Sequence, residues 1–226
     1  MQWLPAQARA CDRRKVLGPV AMARPREFDM DEIVRETLFV FWRKGYEATS
    51  LRDIEEATGL GRMSLYNVFG DKEGLFQAVL ERYIDATQRL YVKYLRGEGI
   101  ADLEALIDAY TKPQRLGPAG SWGCLMLNAI TAVDGVSPRA HRTIETFRRY
   151  AIDQIEAALR RASELGEVDR SMDFREMAEF ILTTMWGAKA AIRHAGTAAA
   201  AAPVARLLPK ILRGLGMPRG RSPRRL

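Results

Sequence analysis

The chain has 226 residues, 47% of them hydrophobic and 28% charged, which is ordinary for a globular protein that buries a sizeable core. Its net charge of +7 favours a polyanionic partner, and this charge alone is compatible with nucleic acid or with an anionic membrane. Cys11 and Cys124 are the only cysteines and lie far apart in sequence, which excludes a disulfide framework and indicates the reducing cytoplasm. No stretch reaches the roughly 18 uninterrupted apolar residues that a membrane span requires.

Residues 1–27 are expected to form a flexible basic arm. An arginine pair ahead of an apolar run faintly resembles a twin-arginine export signal, but a glycine and a proline interrupt the run, which is too short for a signal core. Residues 1–21 are therefore either a flexible arm or an upstream extension of a protein whose natural start is Met22. Arg24 and Arg26 would lie on a basic lead-in that reaches a phosphate or a minor groove, or on a plain solvated tail.

A first long helix is predicted to begin at Asp29 or Asp31 and to continue to about Lys44, where Gly45 ends it. Its apolar positions recur at helical spacing: Ile33, Leu38 and Phe41. We expect this helix to support the two short helices that follow.

A helix-turn-helix is predicted next. Ser50 can cap a short helix that begins near Leu51, and Asp53 completes a capping box three residues after Ser50. Gly59 supplies the positive φ that a tight helix ending needs. Gly61 then lets the chain turn into a second short helix, from about Arg62 to Phe69.

The second short helix is predicted to have two faces. Leu65, Val68 and Phe69 would pack it onto the first short helix. The opposite face carries Arg62, Met63, Tyr66 and Asn67, with Ser64 at its edge. Guanidinium, amide and phenol groups offer polar contacts to bases and phosphates, and a methionine can touch a thymine methyl, so this face suits a DNA major groove.

A third helix is predicted to start directly after this motif. Asp71 can cap it, and Lys72 lies in its first turn, where the lysine and the helix amides are placed to hold a phosphate. The complete predicted DNA-binding set is Ser50, Arg52, Arg62, Met63, Ser64, Tyr66, Asn67 and Lys72.

Two short helices joined at a glycine also occur in proteins that never touch DNA, so spacing alone does not decide the function. The runs GYEATSLRDI (45–54) and SLYNVFGDKEGL (64–75) resemble the amino-terminal domain of the tetracycline-repressor (TetR/AcrR) family of bacterial regulators. The resemblance extends from about Phe28 to Tyr83. Gly61 and Met63 depart from the small hydroxyl cap and the small residue that the family more often has, which affects base preference.

The rest of the chain is predicted to form further helices. A long helix from Lys72 to about Leu95 is predicted to leave the DNA-binding unit and enter a second domain. Later helices are predicted at 101–110, within the apolar segment 123–130, at 138–166, 173–195 and 198–215. The predicted division is a DNA-binding domain at 28–83, an effector-binding and dimerisation domain at 84–216, and a disordered basic tail at 217–226.

Two other interpretations concern the segment around Cys124. Ala119-Gly120-Ser121-Trp122-Gly123 is one substitution from the G-x-S-x-G nucleophile elbow, which would make Ser121 a hydrolase nucleophile, but no strand pattern precedes it. Cys124 could be a redox or electrophile sensor, although buried cysteine usually behaves as a small hydrophobe.

The sequence offers no converging catalytic or metal-binding constellation. His141 and His194 are the only histidines, and neither has a second ligand at metal-binding spacing. We therefore expect no enzyme activity, no metal and no cofactor.

The resulting prediction is an all-α protein: a three-helix DNA-binding domain followed by a helical ligand-binding and dimerisation domain. The resemblance implies a cytoplasmic homodimer that binds a double-stranded DNA operator, acts as a repressor, does not enter a membrane and responds to a small apolar effector. Large apolar side chains and Cys124 are the predicted ligand-binding set: Trp122, Cys124, Met126, Phe147, Met185 and Trp186. The main alternative is a helical protein that binds nucleic acid or an anionic membrane without specificity.

Overall fold

A computed structural model describes residues 29–112, 119–132 and 135–214. These ranges form α-helices α1 (Met30–Lys44), α2 (Leu51–Thr58), α3 (Arg62–Phe69), α4 (Lys72–Tyr94), α5 (Ile100–Thr111), α6 (Leu125–Ile130), α7 (Pro138–Glu164), α8 (Phe174–Ala195) and α9 (Ala202–Gly214). The all-α prediction is confirmed. The predicted arm and basic tail lie outside the described residues, as does most of the loop predicted between α5 and α6.

Most helices begin where a short polar side chain can accept a hydrogen bond from a first-turn amide. The predicted caps Asp29, Ser50 and Asp71 all make such bonds, and Asp173 caps α8 in the same way. Gly45 and Gly59 end α1 and α2 with φ values of 90° and 70°. Local sequence therefore sets these boundaries.

One continuous buried cluster runs through the helices. α1 packs on α2 and α4, α3 packs mainly on α4, and α4 continues against α5 and α7. α7 pairs with α8, and α9 closes against α5. The buried side chains extend from Ile33 to Leu212 without interruption at residue 84, because the predicted domain boundary falls inside α4. A single rigid helix thus belongs to both predicted parts of the chain.

The carboxyl-terminal helix differs from its prediction. Instead of one helix from 198, a 3-10 helix at Ala198–Ala201, capped by Thr197, precedes α9. Pro203 occupies the second position of α9, where a missing amide proton costs little, whereas Pro209 lies in the helix interior. Among the helices of the described ranges, none combines the length and hydropathy needed to cross a lipid bilayer.

Candidate nucleic-acid interface

The start of α2 is fixed by a hydrogen-bonded network that also reaches α1. The Asp53 amide donates to Ser50 Oγ at 3.2 Å, and the Ser50 amide donates to Asp53 Oδ2 at 2.9 Å, which is the predicted capping box. Lys44 Nζ lies 2.5 Å from Asp53 Oδ1. The Lys44 ammonium, followed by the Ser50 amide and hydroxyl, lowers the pKa of Asp53 to about 2. The end of α1 and the start of α2 are therefore held together at neutral pH.

The amino terminus of α3 is capped from the preceding helix. Gly61 stands at its N-cap and has no side chain to bond the first amides. Glu55 of α2 supplies the missing cap, since Glu55 Oε1 accepts a hydrogen bond from the Arg62 amide at 2.6 Å. No local sequence pattern marks Glu55 as a cap, because this bond spans the turn between two helices.

We expect Glu55→Ala to lower the free energy of unfolding by about 1 kcal/mol, because it leaves the Arg62 amide without its cap. Glu56→Ala is the matched control and should cost about 0.5 kcal/mol or less, since the only ion pair of Glu56 among the described residues is the exposed one with Arg52. Urea unfolding of both variants makes the comparison. Equal losses would contradict a capping role for Glu55.

The outward face of α3 is the predicted one, with one correction. Leu65 is 1% exposed and Met63 is 75% exposed. Arg62, Ser64 and Asn67 are also exposed, while Tyr66 is half-buried with the Arg62 guanidinium 5.2 Å from its ring centre.

The prediction that Val68 packs beside Leu65 and Phe69 is wrong, since Val68 is 55% exposed. Successive helical residues are about 100° apart, so Val68 lies to one side of the line joining Leu65 to Phe69. Because α3 rests mainly on α4, that side faces solvent. Val68 therefore widens the exposed face with an apolar side chain.

α3 and α4 approach each other closely at Gly74. A Cβ atom at this position would lie 2.0 Å from the Phe69 carbonyl oxygen, so only glycine fits. The Gly74 amide donates to Asp71 Oδ1 at 2.7 Å. The cap therefore occupies this amide, and the predicted phosphate contact would use the Lys72 side chain and the other amides of the first turn of α4.

Lys72 lies beside the loop that leads into α2. Its ammonium is 4.6 Å from the centre of the Tyr46 ring and donates to the Glu47 carbonyl oxygen at 3.4 Å. The side chain stays half-exposed, and an ammonium has three donors, so capacity for a phosphate remains. Arg52 is exposed on α2, where its only ion pair in the described chain is the surface pair with Glu56.

The predicted ligand-binding residues lie in two places. Cys124, Met126 and Met185 are fully buried and Phe147 is 2% exposed, all in the core formed by α4 to α8, and the half-buried Trp186 packs against that core. Trp122 instead packs edge-on against Phe39 and Trp42 of α1, at ring-centre distances of 6.2 and 6.0 Å. It lines a cleft of about 410 Å³ together with charged side chains of α1 and α2.

Arg193 connects α8 to the end of α1. Its Nη1 donates to the carbonyl oxygens of Trp42 and Trp122 at 3.2 and 3.1 Å, and its Nη2 donates to the Arg43 carbonyl at 3.4 Å. The last carbonyls of a helix lack intrahelical partners, so Arg193 caps α1 from the other part of the chain. No local pattern marks it, because its partners are between 71 and 151 residues away in sequence.

The exposed helix, the glycine turn before it and the supporting core define a helix-turn-helix DNA-binding protein. Residues 33–79 match the family described as bacterial regulatory proteins, tetR family, and residues 99–208 match the tetracyclin repressor-like carboxyl-terminal domain. The HTH-type transcriptional repressor ComR of Escherichia coli K12 is 33% identical over 178 residues, covering 76% of this chain and 82% of that protein. The chain belongs to the TetR family of transcriptional regulators.

Solved structures show the same fold. A TetR regulator from Chloroflexus aurantiacus has a TM-score of 0.72 at 23% identity, with 80% of this chain and 92% of that chain covered. A cysteine mutant of the TetR regulator CifR, solved with 26-base-pair operator DNA, has a TM-score of 0.70 at 25% identity, with 83% and 98% covered.

The family assignment favours regulation over the hydrolase and non-specific binding alternatives. Ser121 ends a helical turn at 119–121 and is followed by non-helical residues. A nucleophile elbow requires a helix directly after its serine.

Proposed function

We propose that this protein is a repressor that binds a palindromic operator as a homodimer in the cytoplasm and is released by a small effector. The exposed polar face of α3 carries this proposal, because a cap from α2 and a glycine contact with α4 hold a short helix with Arg62, Tyr66 and Asn67 on its accessible side. The relatives named as repressors support the direction of regulation.

The proposed operator contacts divide by role. Arg62, Met63, Ser64, Tyr66 and Asn67 would contact bases or nearby phosphates, whereas Ser50, Arg52 and Lys72 would contact the backbone. Ser50 Oγ already accepts the Asp53 amide, but its hydroxyl proton can still be donated to a phosphate oxygen.

Exposed apolar side chains on α8 and α9 support the dimer. Phe180, Leu207 and Ile211 are 46%, 55% and 46% exposed. Along α8 the exposed line from Phe180 continues through Thr183, Gly187 and Ala190 without a charge, so a second helix can approach closely. Two copies related by a two-fold axis would bury these faces in a four-helix arrangement and present two α3 helices to one operator.

The effector is proposed to bind in the core of the second part of the chain, where Met126, Phe147, Met185 and Trp186 provide large apolar side chains. Cys124 lies in the same core. Its full burial is typical of a small hydrophobe, and redox or electrophile sensing remains the alternative role.

Two connections would transmit effector binding to α3. α4 carries Lys72 at its amino end and the buried Tyr91 near its carboxyl end. Arg193 joins α8 to the carboxyl end of α1, which packs on α2. An effector that shifts α4 or α8 would therefore change the spacing of the two α3 helices in a dimer.

The function is tested by selecting genomic fragments that the purified protein retains, then measuring affinity for the selected site and for scrambled DNA at several salt concentrations. A selected sequence with two-fold symmetry that binds about 1,000-fold more tightly than scrambled DNA is expected. Retention of random fragments with equal affinity would contradict the proposal.

Effector and operator binding are expected to be reciprocally linked. An effector that weakens operator affinity by a factor of about 5 to 150 must have its own affinity weakened by the same factor when operator is bound, which is about 1 to 3 kcal/mol. Calorimetric titration of the effector into free protein and into operator-saturated protein, at one salt concentration, measures both affinities. Equal effector affinities in the two titrations would exclude this mechanism.

A further inference from the structure

A buried lysine lies in the core of the second part of the chain. Lys189 of α8 is 7% exposed. Its ammonium lies 4.7 Å from the centre of the Tyr110 ring, and within the described residues it has no carboxylate partner and no hydrogen bond. Burial lowers the pKa of Lys189 to about 8, with the nearby Cys124 thiol acting in the opposite direction. A cation that is buried without an anion is unfavourable, so its presence needs an explanation.

Two other buried polar groups belong to the core of the same part of the chain. The hydroxyl of Tyr91 is fully buried and has no hydrogen-bond partner among the described residues, and the same is true of the indole N–H of Trp186. Trp186 precedes Lys189 by about one helical turn, so their side chains are neighbours on α8. Each of the three groups can donate a hydrogen bond, and the part of the chain that the structure describes supplies no acceptor for any of them.

Tyr110 of α5 connects Lys189 to the core that contains Tyr91, because the Lys189 ammonium lies over its ring and α5 packs on both α4 and α8. Burial first, and the Cys124 thiol next, raise the pKa of Tyr91, and the same two causes in the same order raise the pKa values of Tyr83 and Tyr110. The thiol also acts on Lys189. Lys189 and Tyr91 therefore belong to the same part of the core, although they come from α8 and α4.

We propose that Lys189, Tyr91 and Trp186 form the polar end of the effector site and bind the carboxylate of an organic monoacid, whose apolar body packs against Met126, Phe147 and Met185. This inference rests on the proposed function, because it assigns a chemical class to the proposed effector. A carboxylate brings two acceptor oxygens to three donors. It also brings one negative charge to one ammonium, whereas a dianionic phosphate would leave a second charge buried and unpaired.

A carboxylate bound at this site would also couple effector binding to the DNA-binding helices. A bound carboxylate would join Tyr91 on α4 to Lys189 on α8. Lys189 is one turn from Arg193, whose guanidinium holds the carbonyls of Trp42 and Arg43. The anion would thus act on both connections to the DNA-binding helices.

The test uses the full chain and pairs of probes that differ only in charge: octanoate with octanamide, benzoate with benzamide, and 2-naphthoate with 2-naphthamide. Thermal shift and calorimetry measure binding, and release of a selected operator measures the response. At least one acid is expected to bind about 10-fold or more tightly than its amide. Equal binding within every pair, or no binding by any acid at millimolar concentration, would overturn the proposal.

Two variants test whether Lys189 and Tyr91 bind the carboxylate. Lys189→Met is expected to reduce the acid affinity by about 10-fold or more while leaving the amide affinity within about 2-fold, and it should fold because it removes a buried charge. Lys93→Met is the matched control, since Lys93 is an exposed lysine whose ammonium lies 5.0 Å from the Tyr94 ring centre. Tyr91→Phe keeps the ring and should reduce acid affinity about 3- to 10-fold. An unchanged acid preference in Lys189→Met would overturn the assignment.

The outcomes separate this inference from the proposed function. Neutral probes that bind and release operator while acids do not would leave the effector-responsive regulator intact and remove the carboxylate site. Acids that bind through Lys189 without changing operator affinity would support the site and contradict effector release.

Discussion

Tyr66→Ala, Asn67→Ala and Arg62→Ala are each expected to lower affinity for a selected operator by about 10- to 100-fold, or about 1 to 3 kcal/mol. Arg62 and Asn67 are exposed on α3, and Tyr66 supports the Arg62 guanidinium from 5.2 Å. None of the three is fully buried, so loss of affinity should not arise from unfolding. Fluorescence anisotropy with the operator and with a scrambled duplex measures the effect, and thermal melting checks the fold.

Lys72→Ala is expected to behave differently, because its ammonium is placed for a phosphate. It should weaken operator and scrambled DNA alike and reduce the slope of log affinity against log salt by about one. Lys93→Ala, at the far end of α4, is the matched control and should change neither quantity. If the three α3 variants and Lys72→Ala all bind the operator as tightly as the parent protein does, the helix-turn-helix assignment is wrong.

Phe180→Glu and Ile211→Glu are expected to convert the proposed dimer to a monomer. Each places a carboxylate in a face that is apolar and, in the proposed dimer, hidden from water, where an unpaired charge costs several kcal/mol. A monomer presents one α3 helix and can contact one half-site. Its operator affinity should therefore be about 100-fold or more below that of a dimer that contacts both half-sites. Light scattering and operator titration at micromolar protein measure both effects.

Val92→Glu is the control for this pair. Val92 is 70% exposed on α4, so the same substitution adds an exposed charge outside the proposed interface. It should leave mass and operator affinity unchanged. A parent protein that is already monomeric at micromolar concentration, or glutamate variants that remain dimeric, would contradict the assignment of α8 and α9 to the interface.

The boundaries of the helices could be predicted closely from the sequence. A side-chain cap such as Ser50 or Asp71 bonds an amide three residues away, and a glycine such as Gly59 ends a helix through its own φ. These interactions are local, so the residues that make them are visible in a short window. The amphipathic pattern likewise identified Leu65 as buried and Met63 as exposed.

Which side of each helix meets which neighbour could not be read locally. Val68 was assigned to the packed side of α3 because it lies between Leu65 and Phe69 in sequence, but α3 rests mainly on α4 and leaves Val68 in solvent. Likewise, Phe180 of α8 is 46% exposed although the adjacent Ile181 is fully buried. The pattern of apolar residues shows that a face exists, whereas the partner helices determine how wide the buried face is.

The sequence by itself determined a helix-turn-helix with a recognisable family pattern, because capping, turn and periodicity signals act over a few residues. Only the tertiary structure decided that Glu55 caps α3, that Arg193 holds the end of α1, and that Lys189 is buried beside the Tyr110 ring without a carboxylate partner among the described residues. Each of these depends on two elements meeting in space. A hydrogen bond between residues 42 and 193, or a charge left unpaired after packing, has no trace in any local window of the sequence.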